Sequence, residues 1–124
     1  MQTILLISVG AIIGANLRYF VAQYLAKLIP SGFPYGTLVI NISASFILGL
    51  FLIWTTERVL VDPRWRLFVA TGFCATYSTY SSYAFETFAL FEKGQFALAT
   101  LNMLASNVVC FIAVVLGAML ARGL

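Results

Sequence analysis

The sequence predicts an all-α membrane protein with four transmembrane helices, the third of them broken near mid-membrane. Three observations predict it. Of the 124 residues, 62% are hydrophobic and only 9% charged, against about 25% charged in a soluble domain. Four apolar stretches have the length to cross about 30 Å of hydrocarbon, which takes roughly 20 residues. Within the third stretch, residues 76–83 form an unbroken run of eight hydroxyl side chains. One domain then covers 1–124, with spans at about 3–26, 36–54, 65–91 and 96–121.

The first stretch ends at Lys27 and at the turn signal Pro30-Ser31-Gly32. No Lys or Arg precedes it, and it is longer than the core of a signal peptide. It is therefore expected to be a span that begins with the mature chain. It carries Gly10 and Gly14 at a spacing that lets helix backbones approach closely in lipid. Arg18, two positions after Asn16, is either a snorkelling cation or the mouth of an anion path.

The second stretch stops at Glu57-Arg58 and pairs Ser45 with Gly49 at the same close-packing spacing. For both small-residue pairs, an ordinary packing seam is a simpler reading than a dedicated dimer motif. Asn41 lies one turn beyond Thr37. Its carboxamide could join two helices, or its NH2 could offer uncharged donors to an anion.

The third stretch contains the hydroxyl run. A single Ser or Thr can bond back to a carbonyl one turn earlier at little cost. Eight in succession, after Gly72 and with β-branched Thr76 and Thr79, make a poor helix centre. An interruption around 75–79 follows, since broken backbone at membrane depth needs protein or water to satisfy it. Tyr80 and Tyr83 then share a face. Glu86, three positions on, is the one carboxylate deep inside a span. In the fourth stretch Asn102, Ser106 and Cys110 recur every four residues and form a polar stripe. Asn107 falls off that stripe, as a helix contact.

Several function classes are excluded. The net charge of +3 comes from scattered Lys and Arg near helix ends, not from the clustered basic face that nucleic acid requires. There is no histidine and no Gly-rich phosphate loop, and no carboxylate pair, so no enzyme site is formed. Cys74 and Cys110 lack metal-ligand spacing and read as small apolar thiols. An even span count puts Arg58, Arg64, Arg66 and Arg122 on one side and Lys27 and Lys93 on the other. That is a weak positive-inside bias. Insertion in both orientations, and an antiparallel pair, stay open on charge alone. Four helices cannot both surround an ion path and pack on one another, so transport would require an oligomer.

Three segments resemble the CrcB/Fluc fluoride channels: "GAIIGANLRY" from Gly10, "PYGTLVINISASFILG" from Pro34 and "GFCATYSTYSSYAFETF" from Gly72. They stand in the family's order and spacing and cover nearly the whole chain. The resemblance implies an antiparallel, dual-topology dimer in the bacterial plasma (inner) membrane, with two pores that let fluoride leave the cytoplasm passively. It implies a structural Na+ at the centre of the dimer, held by the backbone carbonyls of Ala75 and Ser78. Asn41 matches the family's pore asparagine, Arg18 its vestibule arginine and Glu86 the glutamate after its aromatic pair. Thr37, Ser106 and Cys110 match a polar track, and Thr79, Ser81 and Ser82 add hydroxyls to the same route. Tyr80 and Tyr83 stand where the family has phenylalanines, and Ala75-Thr76 where it has Gly-Gly.

The chemistry suits a small anion. Conduction needs binding weak enough to release the ion, and neutral hydroxyls, an amide and the positive edges of aromatic rings supply many modest contacts. A paralogous CrcB-like partner, giving a heterodimeric channel, is one alternative. Another is a proton-coupled exporter of small cations using Glu86, although small multidrug transporters carry their carboxylate in the first span, where this chain has Arg18. A non-conducting helper subunit is the last.

Overall fold

The computed structural model describes all residues from Met1 to Leu124. Every regular element is helical. Helix α1 spans Gln2–Leu28, and α2 spans Tyr35–Ile53 and continues through a π-helical turn, Trp54–Arg58. Helix α3 covers residues 63–77, opening as Pro63–Arg66, widening to π geometry over Leu67–Cys74 and closing with Ala75–Tyr77. Helix α4 is Tyr80–Glu92 and α5 is Phe96–Gly123. Three helices, Gln2–Leu28, Tyr35–Arg58 and Phe96–Gly123, are each long and apolar enough to cross a membrane.

The remaining stretch, expected over 65–91, is made of α3 and α4. At 1.5 Å per residue these are only about 22 and 20 Å long. Together they run the length of α1. At one end Asp62 and Trp65 line a hollow with Gln2 and Leu5. At the other, Glu86, Ala89 and Lys93 line one with Ser31 and Phe33, in the loop after α1.

Local chemistry sets each boundary. Helix α3 starts at Pro63 because the Asp62 carboxylate accepts the Arg64 amide at 2.9 Å, leaving proline at a position whose missing N–H costs nothing. Helix α4 starts behind Thr79, whose hydroxyl accepts the Ser82 amide at 3.2 Å, an N-cap. It ends at Gly94, where φ is +73°. There the Gly94 amide donates to Phe91 and the Gln95 amide to Leu90, the paired bonds of a Schellman ending.

Helices pack through small residues. A Cβ on Gly10 would fall on the Phe68 carbonyl, and one on Gly14 on the Thr76 hydroxyl and the Phe73 carbonyl. Gly72 returns the contact, 2.7 Å from the Ile7 carbonyl to its notional Cβ. The π-helical widening of α3 coincides with this close approach. Across the molecule, Gly49 of α2 lies on Val114 and Gly117 of α5 on Phe46. Gly10, Gly14 and Gly49 are thus seams within one chain. Outside the apolar region, Arg122 donates twice to Glu57, each bond 3.0 Å, tying the end of α5 to the end of α2.

Candidate functional site

The site is built where α3 stops. Ser78 has φ −73° and ψ 159°, and Thr79 has φ −152° and ψ 114°; both are extended, and helical geometry resumes at Tyr80. Two extended residues leave backbone groups without helical partners. Asn41, from α2, takes both groups of Thr79. Its Oδ1 accepts the Thr79 amide at 2.8 Å, and its Nδ2 donates to the Thr79 carbonyl at 3.0 Å. The side-chain amide pairs as a neighbouring strand would. One N–H of Asn41 stays uncommitted. The Thr79 amide would otherwise close a helical turn on the Ala75 carbonyl, so that carbonyl loses its donor.

Against this corner lies a cleft of about 270 Å³. Helix α2 gives it Asn41 and Ser45, the extended pair gives Ser78 and Thr79, and α4 gives Tyr80 and Tyr83. Helix α5 closes the far wall with Ser106, Asn107 and Cys110. No charged side chain lines it. Tyr83 is 8% exposed and Tyr80 78%, so Tyr83 forms the inner wall and Tyr80 the open rim. Their rings sit 5.4 Å apart and tilted by 58°.

Beneath the cleft a polar ladder joins α4 to α5. The Thr87 hydroxyl donates to the Tyr83 carbonyl at 2.8 Å and accepts from the Asn102 amide at 2.9 Å. The Ser106 hydroxyl reaches the Asn102 carboxamide oxygen at 3.5 Å. Asn102 and Ser106 of the expected stripe are buried, and Cys110 is half-buried.

The other expected residues lie apart from the cleft. Thr37 donates to the Glu86 carboxylate at 2.7 Å. This pair lines a separate hollow of about 290 Å³ beside Pro30, Phe33 and Tyr35. The second Glu86 oxygen is buried without a partner. Thr37 and Asn41 are one turn apart on α2, about 6 Å of rise, so the hollow and the cleft adjoin along a single helix face. Ser82 accepts from the Thr79 hydroxyl at 3.0 Å, and Ser81 is exposed at 3.5 Å from it. Neither lines the cleft. Arg18 is half-buried on α1, with no ion-pair partner.

Asn107 and Ser45 were missed as cleft residues. Ser45 had been read as a packing residue, although it stands four positions from Asn41 and eight from Thr37. Asn107 sits beside Ser106 in sequence, and only the approach of α4 turns that side of α5 into a wall. Ala75 and Thr76, where the resembled family has glycines, need no glycine geometry: Ala75 has φ −67°, and no residue other than glycine has positive φ.

Fold and site together define a class: a helical membrane protein with an uncharged, donor-rich cleft at a helix end. Residues 5–118 match the family model described as CrcB-like protein, camphor resistance (CrcB), and the chain belongs to that family. It is 54% identical over 112 residues to a protein named fluoride-specific ion channel FluC from Koribacter versatilis, covering 90% of this chain and 88% of that one. A protein of the same name from Sulfurihydrogenibium is 44% identical, covering 98% of both chains. One from Pyrococcus abyssi is 39% identical, also covering 98% of both. The relatives are channels, not enzymes, in keeping with the absence of catalytic groups from the sequence.

Proposed function

We propose that this chain is a fluoride-selective channel that lets the ion leak passively out of the cytoplasm across the bacterial plasma membrane. The observation that carries the reading is the cleft itself, a polar space in an apolar protein lined wholly by neutral side chains. Ser45, Tyr80, Tyr83 and the spare N–H of Asn41 offer an anion several weak donors. The first turn of α4, at the same place, adds the partial positive charge of a helix N-terminus. A lysine or arginine there would hold the ion too long for conduction.

On this reading the route passes Arg18 at its mouth and continues through the cleft to the Thr37–Glu86 hollow, with Ser106 and Cys110 as its α5 wall. One chain leaves Tyr80 open, so a second copy covers the rim. An antiparallel pair then holds two such routes. The freed carbonyl of Ala75 and the carbonyl of extended Ser78 suit a bound Na+, which accepts hard oxygen ligands. Two oxygens per chain fall short of a coordination shell, so the ion site is complete only between copies. No group of carboxylates, cysteines or histidines offers a rival site.

The test is ion flux from liposomes holding the purified protein. Passive fluoride efflux without chloride efflux supports the reading. Efflux that begins only when a second CrcB-like chain is added would make the active form a heterodimer. Proton-driven uptake of a cationic dye, lost in Glu86→Gln, would replace the channel by an exporter. Glu86 bonds to Thr37 outside the cleft, which favours the channel.

A further inference from the structure

We propose that Asn107 positions the Tyr83 hydroxyl, turning its hydrogen into the cleft as a donor to the permeating anion. The inference deepens the channel reading and rests on it.

The argument is one of donors and acceptors. The Asn107 Nδ2 donates to the Met103 carbonyl at 2.7 Å. A carbonyl only accepts, so this bond fixes which end of the carboxamide is nitrogen. The same Nδ2 lies 3.4 Å from the Tyr83 hydroxyl. An NH2 group only donates, so the phenol oxygen must accept there, and its own hydrogen is released from that side. No side chain or carbonyl of the protein takes that hydrogen. The Tyr83 ring is buried and lines the cleft with Asn107, so the cleft is where the hydrogen points.

Without Asn107 the phenol can rotate and present lone pairs to the anion, which repels it. With phenylalanine at the position there is neither donor nor lone pair, and the positive ring edge remains. Hydroxyl with Asn107 and phenyl without it are therefore both compatible with flux. Hydroxyl without Asn107 is the defective combination. The 3.4 Å separation makes the bond weak, so its role is direction rather than stability.

The experiment is a double-mutant cycle on fluoride efflux, together with a near-ultraviolet difference spectrum of the solubilised protein on adding sodium fluoride. Asn107→Ala is expected to slow efflux about fivefold, the rate equivalent of one neutral hydrogen bond. In the Tyr83→Phe background the same substitution should change nothing. Fluoride should shift the tyrosine band to the red in the parent, not in Tyr83→Phe, and less in Asn107→Ala. Equal losses in both backgrounds, or no loss in either, would overturn the proposal. So would efflux from the parent without a spectral shift. A shift that depends on Tyr83 and Asn107 in a protein that passes no fluoride would sink the channel reading while sustaining the donor assignment. Absence of both signals sinks both.

Discussion

The hydroxyl run straddles the end of α3, and its two halves behave differently. Before the break, each hydroxyl is returned to the protein. Thr76 donates to the Gly72 carbonyl at 2.7 Å, Ser78 to Cys74 at 2.8 Å, and Tyr77 meets Ser43 at 3.0 Å. After it, Thr79 caps a new helix, Tyr83 lines the cleft, and Tyr80 has no hydrogen-bond partner. Identical residue types seal one segment and open the other. Backbone geometry decides which. Where a helix continues, the carbonyl one turn earlier is within reach of a Ser or Thr; where it restarts, the hydroxyls meet amides and space.

The largest effect expected on the sealed side comes from Gly14. Replacing it by Val sets a branched side chain where even a Cβ would strike the Thr76 hydroxyl and the Phe73 carbonyl. Overpacking costs about 1–3 kcal/mol and more where backbone must move. Gly14→Val should leave little monodisperse protein on size-exclusion chromatography. Recovery of normal amounts with normal flux would show that α1 and α3 do not need their close contact.

Next comes Asn41→Ala, which strips the open side of its backbone partner. Two buried backbone groups of Thr79 lose their bonds, at about 1–3 kcal/mol for each group left unsatisfied. Fluoride efflux should fall at least tenfold, and the melting temperature should fall with it while the oligomer persists. The loss of stability matters as much as the loss of flux. An Asn41 that served the ion alone would cost activity and leave melting unchanged.

These two positions also mark how far the sequence could be read. The apolar stretches are legible because a span must be continuous and uncharged, and the structure gives three such helices. Hydroxyl density and weak helix propensity pointed to residues 75–79, and the extended pair is Ser78 and Thr79. Glycine spacing in α1 and α2 pointed to close seams without saying which helix fills them. The role of Asn41 was legible only as a pair of options, since a carboxamide serves a backbone or an anion with the same atoms. Asn107 was not legible. Its significance depends on which side of α5 faces α4, and a helical stripe read by spacing carries no such information.

A smaller contrast compares neighbours across the break. Thr79→Val removes an N-cap and should cost about 0.5–2 kcal/mol in stability along with much of the flux. Thr76→Val removes a hydroxyl that only bonds back to carbonyls of α3 and α1, and should cost less than about 1 kcal/mol. Efflux should be unchanged in the second. Matching losses of flux in the two variants would erase the distinction between the segments.

The smallest expected effect tests the open side at its rim. The Tyr80 hydroxyl makes no bond within the chain, and its ring lies tilted against that of Tyr83. Tyr80→Phe keeps that ring contact and the positive ring edge, which is what a rim residue would present to an anion. Efflux should stay within about twofold of the parent, under 0.5 kcal/mol in barrier. Combining it with Tyr83→Phe should preserve the rate or raise it, because both rings still frame the cleft. A dead double variant would mean that the hydroxyls themselves replace water around the ion. The open half of the run would then act through its hydroxyls, and the division at Ser78 and Thr79 would separate sealed hydroxyls from conducting ones rather than from conducting rings.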